Sequence, residues 1–343
     1  MANIRDVSKL AGVSPATVSL VMNNHPKISQ ETRAKVLDAV QKLNYIPNIH
    51  AKRLFSKKNR VIGVILASHM RNMTANTVYS QLFFGICDTM REQGYQAMVA
   101  SVNESMVSER LPQMITEQQV DGIVLIGRGF GPRYVYRLLE TGLPVVTCPE
   151  WFPALEAGAV VCDNTMIPSL AVEYLAHLGH SRIGFLSARQ QFWFAVTRHN
   201  AFEKAMGQHG LEYDPNLVVQ CDMTSLEGGR SGVTELLRQT NPPTAIIAAN
   251  DVVALGAVRT LQEQGYDVPR DMSVIGCDGL EFTAYLSPAL TTIRIPWELL
   301  GKLAAEQVLG LIAKPHEDRT TVTPLTVPVE LVVRQSCAEP RCK

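Results

Sequence analysis

Acidic and amide side chains follow several apolar runs in this sequence, at points where predicted strands end. These positions are Asp163-Asn164, Asp222, Asn250-Asp251 and Asp278. In open sheets of parallel strands, ligands bind beyond the carboxyl ends of the strands. Carboxylates combined with an arginine and aromatic side chains suit a small polyhydroxylated ligand, because each hydroxyl both donates and accepts a hydrogen bond. The competing interpretation is that each strand-end residue caps the helix that follows it.

Catalytic and cofactor chemistry would need spacings that this sequence lacks. None of the eight histidines falls in an H-x-x-x-H or H-E-x-x-H pattern, and no G-x-S-x-G run is present. The run 127–132 contains three glycines after a predicted strand, but Pro132 stands where the third glycine of a dinucleotide-binding loop belongs. We therefore expect no metal, no cofactor and no enzymatic activity.

Lysine and arginine are concentrated at the N-terminus, although the formal net charge of the chain is zero. Residues 1–60 contain eleven Lys and Arg against three acidic residues, a balance of +8, and the remaining residues carry −8. A basic head on an acidic body indicates that the head binds a polyanion. The alternative is that these lysines and arginines form an ordinary solvated face.

The basic segment has the pattern of three short helices. Apolar residues recur at helical spacing after Ile4, and Gly12 ends that pattern. Ser14-Pro15 then supplies an N-cap and a first-turn proline for a second helix that runs to Met22. A third helix is predicted over residues 30–44. Two short helices joined at a glycine are typical of a helix-turn-helix, whose second helix enters the major groove of DNA.

Beyond residue 60, short β-branched runs alternate with helical stretches, which predicts parallel sheets with helices on both faces. The predicted strands are 61–66, 95–100, 122–126, 144–147, 182–186, 217–220, 244–248 and 273–275. This length exceeds one comfortable core, so we predict two Rossmann-like lobes. No apolar run approaches the ~20 residues of a membrane helix, and the first residues do not form a signal peptide. We therefore expect a cytoplasmic protein that contacts no membrane.

The run 4–23, IRDVSKLAGVSPATVSLVMN, resembles the DNA-binding head of the lactose-repressor (LacI/GalR) family of bacterial transcription regulators. Residues 44–54 resemble that family's hinge helix, and Asn250-Asp251 and the run 274–278 resemble its effector domain. The resemblance spans nearly the whole chain and implies two lobes of the periplasmic-binding-protein type. It implies that bases are read by Pro15, Ala16 and Leu20. It also implies that phosphates and bases are contacted by Asn3, Ser14, Thr17, Ser19 and Asn23.

One departure from the family concerns Leu20, where many members carry the arginine that reads guanine bidentately. Leu20 offers only apolar contact, for example to a thymine methyl, so the operator half-site of other members does not carry over. The hinge helix, expected over residues 49–56, would contact DNA through Asn48, Ala51, Lys52 and Leu54. In the family, the residue matching Leu54 wedges between base pairs in the minor groove. The alternative is that Leu54 packs on the body.

The resemblance also identifies Arg198 as the effector-binding arginine and Asp251 as the effector-binding aspartate, on opposite sides of a ligand between the lobes. The other predicted ligand contacts are Asn76, Glu150, Trp151, Trp193, Asn250 and Asp278. Trp151 or Trp193 can stack on the apolar face of a sugar.

We therefore predict a homodimeric repressor of a carbohydrate-utilisation operon, whose affinity for a pseudo-palindromic operator is controlled by a sugar-like effector. The predicted domains are a helix-turn-helix head (1–46), a hinge (47–59), a first lobe (60–162 plus 291–318) and a second lobe (163–290 plus 319–338). Two alternatives stay open, namely a transport-type sugar-binding protein and a nucleoside- or purine-responsive regulator of the same family. A transport protein would have no use for the basic head.

Overall fold

A computed structural model describes residues 2–22, 25–45, 58–67, 77–102, 110–127, 129–153, 157–315, 317 and 323–341. The chain divides into two compact units, which we call the head (Met1–Asn59) and the body (Arg60–Lys343). The predicted hinge helix lies outside the described residues. In the described part of the chain, no helix has the length and apolar composition needed to cross a membrane.

Three short helices form the head: α1 (Ile4–Ala11), α2 (Pro15–Met22) and α3 (Gln30–Lys42). Their core is small and consists of the buried side chains Val7, Val18, Val21, Val36 and Ala39. Helix α3 ends two residues earlier than predicted. Asn44 has a φ of 44°, in the left-handed region that ends helices and that asparagine tolerates better than most residues.

Turn and cap residues hold these helices in place around the small core. Gly12 ends α1 with a φ of 65°, a conformation that favours glycine. The Ser29 hydroxyl accepts the backbone N–H of Thr32 at 3.2 Å and so caps α3. The guanidinium of Arg33 donates to the carbonyl of His25 at 3.1 Å, which fastens the segment after α2 to α3.

The first lobe of the body is built on a six-stranded sheet. Its strands are β1 (Val61–Ala67), β2 (Gln96–Val102), β3 (Gly122–Ile126), β4 (Val145–Cys148), β5 (Gly158–Cys162) and β11 (Leu325–Val327), in the order β11-β5-β4-β3-β1-β2. All of its strand pairs are parallel. Its helices are α4 (Thr77–Glu92), α5 (Gln113–Thr116), α6 (Pro132–Leu139) and α11 (Trp297–Ala313). Strands β1, β3, β4 and β5 are buried throughout, as expected for parallel strands covered on both faces.

The second lobe is built on another six-stranded sheet. Its strands are β6 (Ile183–Ser187), β7 (Val218–Gln220), β8 (Ala245–Ala248), β9 (Ser273–Asp278), β10 (Thr291–Arg294) and β12 (Glu330–Val332), in the order β12-β10-β9-β8-β6-β7. Its pairs are parallel except for β10 with β12, which is antiparallel. Its helices are α7 (Met166–His177), α8 (Trp193–Gln208), α9 (Leu226–Leu237) and α10 (Asp251–Glu263). A helical head with a two-lobed α/β body confirms the predicted fold class.

The chain crosses between the lobes three times, and two crossings differ from those in the sequence-based division. The prediction returns the chain to the first lobe at residue 291 and to the second at residue 319. Instead, β10 pairs with β9 in the second sheet, and β11 pairs with β5 in the first. Both crossings therefore come later, after Arg294 and after Val327. The run 291–294 follows a Ser-Pro turn and resembles a linker in sequence, but its β-branched residues extend the second sheet.

Candidate functional site

The outward face of α2 carries the residues that the sequence predicts to read bases. Pro15, Ala16 and Leu20 are exposed, and Leu20 retains 39% of its accessible surface. Val18 and Val21 are buried and attach the helix to the rest of the head. Helix α2 contains no acidic residue, so this face can approach DNA without repelling the phosphates.

The polar residues predicted beside α2 take part in capping within the head. Asn3 Oδ1 accepts the backbone N–H groups of Arg5 at 2.8 Å and of Asp6 at 3.3 Å, and so caps α1. Ser14 Oγ accepts the backbone N–H of Thr17 at 3.1 Å at the start of α2. Asn3, Ser14 and Thr17 therefore shape the helix starts. The remaining predicted contacts are Ser19, which is half-buried, and Asn23, Asn48, Ala51, Lys52 and Leu54, which lie outside the described residues.

Arg198 lies on α8 and is 3% exposed. Its Nε donates to Oδ1 of Asn164 at 2.9 Å, and its Nη1 donates to the carbonyl of Ala249 at 3.1 Å. The guanidinium carbon is 5.2 Å from the centre of the Phe194 ring, within cation–π range. Among the described residues, the Nη2 atom has no hydrogen-bond partner. A buried guanidinium with such an atom can donate to an acceptor that a ligand supplies.

Asp278 ends strand β9 and interacts electrostatically with Arg198. It is 7% exposed, and its φ of 121° lies in a region that favours glycine. Holding a non-glycine residue there costs of order 1–3 kcal/mol, and such residues are concentrated at functional sites. Arg198 and Asp278 are thus two buried groups of opposite charge, one a donor and one an acceptor, that interact electrostatically.

Asp251, another predicted ligand contact, makes structural hydrogen bonds within the second lobe. It is fully buried, and its Oδ1 accepts the Thr292 hydroxyl at 2.6 Å, while its Oδ2 accepts the Leu280 N–H at 2.7 Å. Burial, and then the nearby charge of Asp278, raise the pKa of Asp251 to about 8. With both oxygens bonded and no accessible surface, Asp251 links α10 to the segments around β9 and β10, and its contact with a ligand stays a prediction.

Three other strand-end residues bond to the backbone that follows them, and two of these cap the next helix. Asn250 Oδ1 accepts the Val253 N–H at 2.9 Å and caps α10, while its Nδ2 donates to the Met223 carbonyl at 2.8 Å. These two hydrogen bonds involve both polar atoms of the Asn250 side chain, which is another predicted ligand contact. Asp163 accepts the backbone N–H of Met166, the first residue of α7, at 3.2 Å. Asp222 accepts the backbone N–H of Thr224 at 2.9 Å in the turn before α9, and the N-cap of that helix is Ser225.

Glu150 and Trp151 of the first lobe meet Trp193 of the second. Glu150 is 5% exposed, and its Oε1 accepts the backbone N–H of Trp193 at 3.1 Å. The rings of Trp151 and Trp193 pack edge to face, with centroids 5.3 Å apart. Asn76, predicted to join them, lies outside the described residues. We define the interlobe site as Glu150, Trp151, Asn164, Trp193, Arg198 and Asp278.

Two residues of this neighbourhood are missing from the predicted site. Phe194 packs against the guanidinium, and its position four residues before Arg198 on one helix is the signal that would have found it. Asn164 was noted only as a strand-end residue, yet its side chain accepts from Arg198. Among the described residues, no group of His, Cys, Asp and Glu side chains is arranged to hold a metal ion.

A helix-turn-helix head and a body of two parallel-sheet lobes with polar residues at their boundary define a class of ligand-responsive transcription regulators. Residues 3–48 match the family described as bacterial regulatory proteins, lacI family, and residues 172–337 match a periplasmic binding protein-like domain.

Relatives of this class align with almost the entire chain. The ribose operon repressor of Haemophilus influenzae is 31% identical over 94% of this chain and 95% of its own length. The HTH-type transcriptional repressor PurR of Pasteurella multocida is 32% identical over 98% of both chains. The crystal structure of the Lac repressor dimer, bound to operator and the anti-inducer ONPF, has a TM-score of 0.83 at 26% identity, covering 98% of this chain and 99% of that one. The chain belongs to the LacI family of transcription regulators, which are not enzymes.

Proposed function

We propose that the interlobe site binds a small sugar-like effector and that this binding changes the affinity of the head for a pseudo-palindromic operator of a carbohydrate-utilisation operon. The observation that carries the proposal is the buried Arg198 guanidinium, whose Nη2 atom has no hydrogen-bond partner among the described residues. Leaving a buried donor without an acceptor costs about 1–3 kcal/mol, and more for a charged group. An effector oxygen that accepts from Nη2 would remove this cost.

The chemistry of the interlobe site supports a polyhydroxylated effector. Arg198 can only donate hydrogen bonds, while an ionised Asp278 can only accept them, so neighbouring hydroxyls of one sugar can satisfy both. Trp151 and Trp193 are half-buried and provide aromatic surface for the apolar C–H face of a sugar ring. The ribose operon repressor among the relatives supports the same class of effector.

A purine or nucleoside is the second candidate, because the half-buried Trp151 and Trp193 would also stack on a planar base. The relative PurR of Pasteurella multocida supports this candidate. The two candidate effectors differ in how far they depend on hydrogen bonds to Arg198 and Asp278. A sugar uses both through its hydroxyls, whereas a base depends more on the aromatic side chains.

Exposed apolar residues support a homodimer through the body. On α9, Leu226 is 51% exposed and lines a groove together with Leu255 of α10, and Tyr285 is 81% exposed. Strand β2 forms an edge of the first sheet, and its Val99 is 49% exposed. Apolar patches and sheet edges of this kind are commonly covered by a partner chain. A second copy would also supply the second head that a pseudo-palindromic operator needs.

A thermal-shift screen of the full-length protein against sugars, sugar acids and purines tests the effector. A ligand at 100 times its Kd stabilises the folded protein by about 2.7 kcal/mol, so a true effector raises the Tm clearly. The hit is then added to a complex with operator, followed by fluorescence anisotropy. Stabilisation by purines alone would select the second candidate.

The assignment of DNA binding to the head is tested by removing residues 1–59. Circular dichroism and the effector-induced Tm shift then show whether the remaining body is folded. Since the basic charge and the helix-turn-helix both lie in the removed segment, operator binding should be lost. A body of residues 60–343 that still bound operator at physiological salt would contradict the assignment.

A further inference from the structure

Helix α8 begins without a capping group of its own. The residue at its N-cap, Phe192, has no side-chain oxygen, and no acidic residue occupies the first turn. The first backbone N–H groups of a helix have no partner within the helix, so an end without a cap is less stable. This helix also carries the most important residue of the interlobe site, Arg198.

The missing cap is supplied by the other lobe. The carboxylate of Glu150, in the segment after β4, accepts the first helical N–H of α8, that of Trp193, at 3.1 Å. The Glu150 backbone is itself fastened to the first lobe, because the Thr147 hydroxyl donates to its carbonyl at 2.5 Å. A carboxylate at a helix N-terminus also interacts favourably with the helix dipole. One charged hydrogen bond therefore spans the lobe boundary.

A second contact joins the same two segments. Trp151 follows Glu150, and its ring meets the Trp193 ring edge to face at 5.3 Å. Such aromatic pairs contribute beyond their buried area. Separating the lobes at this point breaks the hydrogen bond and the ring contact together, since both end on Trp193.

We propose that Glu150 and Trp151 form an interlobe latch that caps α8 from the first lobe and holds the two lobes together at this point. The latch positions Arg198 through α8, because Trp193 and Arg198 lie on one helix. It thereby sets how far the site is closed before a ligand arrives. This regulatory role rests on the proposed effector site, but the two contacts of the latch can be tested without any ligand.

Hydrogen exchange of the ligand-free, full-length protein tests the latch. Glu150→Ala should speed exchange of the amides at the start of α8 about tenfold or more, the factor expected for a charged hydrogen bond. Glu150→Gln keeps the shape and an acceptor oxygen and should show a smaller increase. Trp151→Ala should act in the same direction as Glu150→Ala. The matched control is Glu140→Ala, an exposed glutamate of the same lobe, which should leave α8 unchanged.

Tryptophan emission gives a second readout, because Trp151 and Trp193 are two of only three tryptophans in the chain. Their separation should shift the emission in Glu150→Ala and not in Glu140→Ala. Unchanged exchange at the start of α8, or faster exchange spread evenly over the second lobe, would overturn the latch. A failed effector proposal would appear only in ligand titrations, so the two failures are distinguishable.

Discussion

The head and the body place their recognition residues in opposite environments. On α2, the predicted base-reading residues are exposed, and the buried valines of the same helix form the core. At the interlobe site, Arg198 and Asp278 are almost fully buried. Specificity on the head is therefore a matter of which side chains point outward. In the body, specificity for the proposed effector would depend on buried donors such as Nη2 of Arg198, which has no partner among the described residues.

Asp251 and Asp278 show this dependence within one lobe. Both follow strands, both are buried, and they influence each other electrostatically. Asp251 accepts two hydrogen bonds that connect α10 to neighbouring segments, whereas Asp278 holds a left-handed backbone conformation beside Arg198. Burial alone therefore does not distinguish the aspartate that we place in the proposed effector site from the aspartate that links α10 to its neighbours.

The largest effect is expected from Arg198→Met, which keeps the apolar packing against Phe194 and removes the donors. Effector affinity should fall about 10- to 100-fold for the loss of a charged hydrogen bond. Operator affinity without effector should stay close to that of the wild type. Titration calorimetry and operator anisotropy measure the two quantities. Arg189→Met, which removes an exposed arginine of the same lobe, is the control. Wild-type effector affinity in Arg198→Met would place the site elsewhere.

A smaller effect, on stability, is expected from Asp251→Asn. The folded-state pKa of Asp251 is about 8, above the value of about 3.9 for an unfolded aspartate. The folded state therefore binds this proton more tightly, and its contribution to stability is lost as pH rises from about 4 to about 8. Because asparagine resembles the neutral acid, the variant should have a flatter Tm profile over this range than the wild type.

Thermal denaturation at several pH values measures this profile, with Asp267→Asn as the exposed control. An Asp251→Asn profile identical to that of the wild type would show that the buried carboxyl does not titrate there. Weakened effector binding with an unchanged pH profile would return Asp251 to the ligand site.

The smallest effect is expected from Leu20→Ala in the head. Loss of one exposed apolar contact, worth about 1 kcal/mol, corresponds to about 5-fold weaker operator binding. The slope of affinity against salt should not change, because lysine and arginine contacts to phosphate set it. Anisotropy at several salt concentrations tests both statements. Leu37→Ala, at a somewhat more exposed position on α3, should leave operator affinity unchanged.

The head was predictable from its sequence because local rules determine it. Gly12 and the Ser14-Pro15 pair mark the turn and the start of α2, and the predicted bounds of α2 match the observed helix. The alternating strands and helices of the body were equally clear and confirmed the fold class. The crossing after β10 was not predictable, because a four-residue strand is assigned to a lobe only by its long-range pairing.

The interlobe site was only partly predictable for the same reason. Arg198 was found through its resemblance to a family motif, and Glu150 and Trp151 through their residue types. The sequence offers no way to rank Asp251 against Asp278, since the partners of Asp251 come from residues 29 and 41 positions later. Hydrogen bonds between residues so far apart depend on how the strands are arranged, which local spacing does not encode.

The three chain crossings between the lobes also have a mechanical consequence. Two lobes joined by one connection can rotate and separate freely. Three adjacent connections suppress separation and twisting of the lobes, so hinge bending is the motion that remains. The crossings after β5, β10 and β11 are of this kind. A ligand between the lobes would then report its presence through essentially one variable, the bending angle. Chemically different effectors would therefore all act on the head through the same bending angle between the lobes.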